Sequence, residues 1–332
     1  MAEKVARELA REFAHPEWMV ERWVREYGWE TAREICRHDQ TVPQTAVRLR
    51  RAGVEAELAS DAVRLGAGKV MAGARVVQGG DVTKSAAFRE GGIVIQDEGS
   101  QLVAALAGAV AKSGARILDC CAAPGGKTLA MADGNPRAKV MAVELHGHRA
   151  RLMKKLLGRA GAAIWIVNAD ARKMPVCALF DRVLADVPCS GTGTLGRNPE
   201  IKWRLRPEDL IDLQKRQLEI LRAALAQAAP GGRVIYSTCS LEREENEEVV
   251  ENVVAEDGSF RVVDCGEELR RLKELVWDAA ALVRGKCLRT VPGVHPCDGF
   301  FAAVVERISH GFRRESSGEL RSPGQPRAAV PT

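Results

Sequence analysis

RILDCCAAPGGKT, residues 116–128, carries the reading of the fold. A short apolar run ends in an acid, Asp119. A turn of small residues follows, and then a helix over roughly residues 126–133. KVMAVEL (139–145) repeats the buried-strand pattern and leads into a basic helix, HRARLMKKLLGRAG (148–161). AIWIVNAD (163–170), FDRVLADVP (180–188) and GRVIYSTCS (232–240) continue the series. A helix over 207–228 precedes the last of these, ENEEVVENVVAE (245–256) is a helix after it, and GFFAAVVER (299–307) is a final strand. Strands that alternate with helices predict a doubly wound, mostly parallel α/β sheet covered on both faces.

Upstream, residues 1 to about 40 read as helices. Val5, Leu9 and Phe13 are spaced by four, and Trp18, Arg22, Arg25 and Trp29 mark a second segment. Ten basic and eleven acidic residues within 1–60 exclude a basic arm. Glycines punctuate 60–92 and predict short β segments with turns. The expected organisation is a small helical and α/β module over 1–90, a catalytic domain over 91–308 and a disordered Arg/Ser/Pro/Gly-rich tail over 309–332.

The 332 residues are 46% apolar and 28% charged, an ordinary globular balance. The longest nearly uninterrupted apolar run, Leu102 to Ala111, has ten residues. A membrane-spanning helix needs about 20. The first residues lack the apolar core of a signal peptide, so a cytoplasmic protein is expected. Nine cysteines without a C-x-x-C pair disfavour both a disulfide framework and a zinc ribbon, and no metal is expected. A net charge of +5 permits a nucleic-acid partner without demanding one.

The turn after the first strand lies where ligands bind in open α/β sheets, outside the carboxyl ends of the strands. Small residues let the backbone approach a ligand, and the helix start favours polar or anionic groups. GGKT suggests a phosphate-binding loop, but that motif requires glycine at position 121, where Cys121 stands. Glu144 ends the second strand, where an acid accepts hydrogen bonds from ribose hydroxyls. The ligand is then a nucleoside, and without a phosphate loop S-adenosylmethionine fits better than NAD or ATP. Asp170, on the same rim, either contacts the adenine or caps a turn.

Two further clusters complete the rim. Asp186-Val187-Pro188-Cys189-Ser190-Gly191-Thr192-Gly193 follows the fourth strand, and Ser237-Thr238-Cys239-Ser240 ends the next. A lone buried cysteine is usually packing. Two on neighbouring strand ends beside an Asp-x-Pro turn suggest nucleophilic chemistry. Cytosine C5 is a poor nucleophile. A thiolate added at C6 makes the ring enamine-like, an acid near N3 stabilises the developing charge, and a second group removes the C5 proton before the thiolate leaves. Cys239, Asp186 and Cys189 are available for these tasks.

DCCAAPGGKT, DVPCSGTG and YSTCS together resemble the RNA 5-methylcytosine methyltransferases of the Nol1/Nop2/Sun (RsmB-like) family. FREGGIVIQDEGSQL (88–102), RNPEIKW (197–203) and VPGVHPCDGFFAAVVER (291–307) extend the resemblance over about 80–307. It implies a class I, Rossmann-like methyltransferase fold and S-adenosyl-L-methionine as cofactor. It puts the nucleophile on Cys239 and makes Cys189 the helper in product release. It assigns Cys121, Ala122, Ala123, Pro124, Gly125, Gly126, Lys127, Glu144, Asp170 and Asp186 to the methyl-donor site. Glu144 stands where Asp is commoner. Lys127 and Lys202 would contact the target nucleotide.

HPEWMVERWVREYGWETAREIC (15–36) looks like the linker helices of the bacterial small-subunit rRNA enzyme, and the chain is expected to lack that enzyme's NusB-like domain. The implied substrate is 16S rRNA. The alternatives are tRNA and a non-catalytic RNA-binding or ribosome-assembly role. Arg197, Lys202, Arg204 and Arg206 are favoured for RNA phosphate contacts over the basic helix at 148–161. Aromatic residues are only 5%, which disfavours a broad stacking platform. The target base must be looped out or single-stranded, because a base inside a duplex is out of reach. No feature requires more than a monomer.

Overall fold

The computed structural model describes residues 2–110, 112–174 and 179–309. All of the predicted tail except Ser309 lies outside them.

Three amphipathic helices come first: α1 (Ala2–Glu12), α2 (Glu17–Tyr27) and α3 (Trp29–His38). The spacing Trp18, Arg22, Arg25, Trp29 suggested one segment. Gly28 instead ends α2 at φ +83°, a conformation open to glycine, and the chain restarts in α3 with Trp29 exposed. The face buried on α2 is Met19, Val20, Trp23 and Val24.

Next come β1 (Ala46–Leu49), α4 (Val54–Ser60), β2 (Arg64–Ala67), β3 (Ala74–Gly79), α5 (Ala86–Arg89) and β4 (Ile93–Ile95). The four strands form a small antiparallel sheet in the order β2-β3-β1-β4. Strand β4, beyond the expected boundary at residue 90, therefore pairs within the N-terminal sheet.

Helix α6 (Glu98–Gly108) leads into the large sheet. Its elements are β5 (Arg116–Asp119), α7 (Gly126–Gly134), β6 (Lys139–Glu144), α8 (Gly147–Arg159), β7 (Ile164–Asn168), β8 (Phe180–Asp186), α9 (Ile201–Arg204), α10 (Pro207–Ala226) and β9 (Ala228–Thr238). Then follow α11 (Glu247–Glu256), β10 (Phe260–Val263), α12 (Cys265–Arg270), β11 (Val283–Arg284), β12 (Cys287–Arg289) and β13 (Phe301–Arg307). The order is β11-β12-β13-β9-β8-β5-β6-β7, with β10 on β13. The five strands from β9 to β7 are parallel, and β13 joins them antiparallel.

Successive residues of the central strands face opposite layers, and both layers are filled. Leu118, Val183 and Val234 pack under α10 and α11, against Leu221 and Val249. Ile117, Leu184 and Ile235 pack against Leu102, Val103 and Leu106 of α6. Each such buried aliphatic side chain contributes roughly 1.5–3 kcal/mol. The apolar run from Leu102 is thus a helix sunk into the interior. Pro207 at the first position of α10, with Asp209 accepting from the Arg206 backbone N–H at 2.9 Å, fixes where that helix starts. No helix among the described residues is long and apolar enough to cross a membrane.

Candidate active site

The parallel strands β5, β6, β8 and β9 deliver their carboxyl ends to one rim. Asp119 closes β5 and is buried. Its carboxylate accepts from Thr128 Oγ1 at 2.6 Å and from the Cys121 backbone N–H at 3.3 Å. Burial raises its pKa to about 7 despite those donors. Gly125 turns the chain into α7 at φ +107°, and a Cβ there would meet Met153 Cγ at 2.9 Å. Only glycine combines that backbone with that clearance.

Asp186 ends β8. It accepts from Lys127 Nζ at 2.8 Å and from Ser237 Oγ at 2.7 Å. Asp186 and Ser237 are register partners on β8 and β9, so the sheet itself sets this contact. Burial works against the Lys127 ammonium, but Asp186 outweighs it and the pKa rises. The Phe300 ring lies 5.2 Å from Nζ.

Cys189 and Cys239 meet across the same two strands, sulfur to sulfur, at 3.4 Å. The hydrogen bond to Cys239, reinforced by burial, holds Cys189 well above its ordinary pKa. Either sulfur can be the donor in this contact. The Gly193 N–H donates to the Cys239 carbonyl at 2.9 Å. A Cβ on Gly193 would meet Gly299 O at 2.3 Å, so the two loops approach this closely only through glycine.

A buried carboxylate beneath the cysteines escaped the sequence reading. Glu245 accepts from the Ser190 backbone N–H at 2.8 Å, from Gln217 Nε2 at 2.9 Å and from both Ser190 Oγ and Ser240 Oγ. Each serine follows a motif cysteine, and that repeated Cys-Ser was the available signal for a shared polar partner. Arg289, also buried, donates to the Ser240 carbonyl at 3.2 Å.

The structure thus brings Asp119, Cys121, Lys127, Asp186, Cys189 and Cys239 together. Glu144 ends β6 buried, its carboxylate accepting from the His146 backbone N–H at 2.8 Å. Asp170 caps a short turn through the Arg172 backbone N–H at 2.9 Å and pairs with the Arg172 guanidinium at 2.7 Å. That pairing lowers its pKa. Arg197 and Lys202 stand apart. Arg197 bonds Asp298 at 2.7 Å, Asp97 at 3.2 Å and the Gln44 carbonyl at 3.0 Å. Lys202 is buried near Cys36 and Asp39, in and beside α3, whose pKa values are raised by burial against the opposing pull of its charge.

The residues fit a nucleoside methyl donor at the rim. Gly125 lets the turn pack directly on Met153 and so fixes the start of α7. Gln96, buried, is within 3.7 Å of where a Gly126 Cβ would stand, and its Oε1 has no hydrogen-bond partner. An acceptor left unpaired in so dry a place suits a ligand that brings its own donor.

A family model described as 16S rRNA methyltransferase RsmB/F matches residues 109–306. The probable ribosomal RNA small subunit methyltransferase B of Bacillus subtilis (strain 168) is 34% identical over 315 residues, 92% of this chain and 69% of its own. The putative methyltransferase Rv1407 of Mycobacterium tuberculosis (strain ATCC 25618 / H37Rv) is 34% identical over 303 residues, 89% of this chain and 64% of its own. The chain thus spans about two thirds of each relative. Among solved structures, PH0851 superposes with a TM-score of 0.81 at 29% identity, covering 91% of this chain and 68% of that one. NSun6 from Pyrococcus horikoshii with SFG superposes at 0.75 with 18% identity, over 89% and 98%, a likeness of fold. The chain belongs to the RsmB/F family of methyltransferases.

Proposed function

We propose that the chain is an S-adenosylmethionine-dependent RNA (cytosine-C5) methyltransferase that acts on 16S rRNA. The contact of Cys189 and Cys239 beside the Lys127–Asp186 pair carries this reading. The names of the RsmB-type relatives favour rRNA over tRNA.

Residues 121–127, Glu144, Asp170 and Asp186 would hold the methyl donor, Glu144 through its strand-end carboxylate. When bound, the donor supplies an electrophilic methyl group. Cys239, as thiolate, adds to C6 of the cytosine and makes C5 electron-rich. Asp186 and Lys127, bonded to each other, face the charge that develops at N3. After methylation, Cys189 in its thiolate form takes the C5 proton and becomes a thiol. The Cys239–C6 bond then breaks, its electrons restoring the ring double bond and regenerating the thiolate. Residues 1–90 are the candidate RNA-binding module of a methyltransferase domain over 91–308.

The test is incubation of the protein with labelled S-adenosylmethionine and, separately, unmodified small-subunit rRNA and unmodified tRNA, with new 5-methylcytosine mapped by bisulfite sequencing. One methylated cytosine in rRNA is the expected result. Transfer to tRNA alone would move the substrate, and transfer to neither with donor binding intact would overturn the reading.

A further inference from the structure

Helix α2 reaches the loop that carries Cys239. Arg22 Nε bonds Glu242 at 2.6 Å and its Nη2 pairs with Glu244. Trp23 Nε1 donates to the other oxygen of Glu242 at 3.2 Å. The Tyr27 hydroxyl donates to the Leu241 carbonyl at 2.6 Å. All three helix residues therefore seize positions 241–244, immediately after Thr238-Cys239-Ser240.

The grip is both apolar and ionic. Leu195 and Ile201, which follow the Cys189 loop, and Leu241, which follows Cys239, lie in one buried cluster with Met19, Trp23 and Ile35 of the helices. Glu242 is 2% exposed, and burial raises its pKa. Arg22 supplies the opposing charge that counters this rise. A buried carboxylate held by an indole N–H and by a guanidinium that also grips Glu244 has one well-defined place. On its other side the same loop is held by Thr192 Oγ1, which accepts from the Leu241 N–H at 2.9 Å.

We propose that Arg22, Trp23 and Tyr27 are positioning residues that set the Cys239 loop against Cys189, so that the N-terminal helices act in the chemistry and not only in RNA docking. The inference rests on Cys239 as the nucleophile. A thiolate displaced by about 1 Å from its target carbon loses on the order of a hundredfold in rate.

The test compares Arg22→Met, Arg22→Lys and Tyr27→Phe in the full chain. Single-turnover methylation is measured at saturating donor and RNA, alongside RNA affinity by filter binding. Cys239 alkylation by iodoacetamide, mapped on peptides, reads the loop without any RNA. Arg22→Met should slow the saturated rate by about tenfold or more, leave RNA affinity within about twofold and change Cys239 alkylation at least about threefold. Arg22→Lys should recover part of the rate. Tyr27→Phe, which removes one hydroxyl, should give a smaller change of the same kind and carries the test should Arg22→Met fail to fold. A weaker RNA affinity with an unchanged saturated rate would overturn the proposal, as would unchanged rate and alkylation in both variants. Methylation that survives Cys239→Ala would refute the reading of the nucleophile by itself, whatever the Arg22 variants do.

Discussion

The sulfurs of Cys189 and Cys239 lie 3.4 Å apart at the ends of adjacent parallel strands, and the contact with Cys239, together with burial, raises the pKa of Cys189. Cys239→Ala should abolish methyl transfer with donor binding intact. Cys189→Ala should leave attack in place and block release, so a slow-migrating protein–RNA adduct should accumulate on a denaturing gel. A Cys189→Ala protein that turns over freely and shows no adduct would refute that division of labour.

Glu245 accepts four hydrogen bonds that tie the two cysteine loops together. Glu245→Ala leaves those donors buried and unmet, and should destabilise the fold by about 3 kcal/mol or more. Glu245→Gln should cost less, about 1 kcal/mol, because the amide keeps one acceptor and the two serine hydroxyls can turn to accept from its NH2. Urea midpoints of the three proteins check the ranking, and equal midpoints for Ala and Gln would contradict it.

The pH dependence of stability follows from Asp119, whose pKa burial raises to about 7. In the unfolded chain it ionises near 4. Below pH 4 it is protonated in both states and contributes no pH dependence. Between pH 4 and 7 the unfolded chain gains charge that the folded chain cannot, so folding loses up to about 1.4 kcal/mol per pH unit from this group. Asp119→Asn should flatten that part of the curve relative to wild type, and a curve of unchanged slope in denaturant titrations would count against it.

Gly125→Ala places a Cβ 2.9 Å from Met153 Cγ at a backbone φ of +107°. The expected cost is about 1–3 kcal/mol of stability. Donor affinity, read by calorimetry, should fall as well, because the turn opens the proposed donor site. An affinity that matches wild type would remove Gly125 from that site.

From Arg116 to Thr238 the fold was legible, because each buried strand of this sheet is a short apolar run and each helix a longer patterned one. Legibility failed where neighbours are far apart in the chain. Nothing local announces that β13 enters antiparallel beside β9, or that Arg22 finds Glu242 two hundred residues later. Helix α6 is buried nearly all round, which erases the amphipathic period by which helices are recognised. In the site, the cysteines and Asp186 were readable from their motifs. Glu245 was not, since one glutamate in Glu-Arg-Glu-Glu-Asn-Glu-Glu looks like a solvated helix face. Arg197 illustrates the converse: a basic residue after the Pro-Cys loop reads as a phosphate contact, yet its guanidinium is engaged by Asp97 and Asp298.

The register that sets Asp186 opposite Ser237 exists only once β9 has docked beside β8, after a crossover that contains all of α10. A chain caught before that docking owns both sulfurs but holds them apart. Competence for adduct formation thus arrives with the closing of this crossover and not piecemeal. Trapping with a mechanism-based cytosine analogue would therefore report the fraction of molecules in a preparation that have finished folding, a gauge of maturation written into the order of the strands.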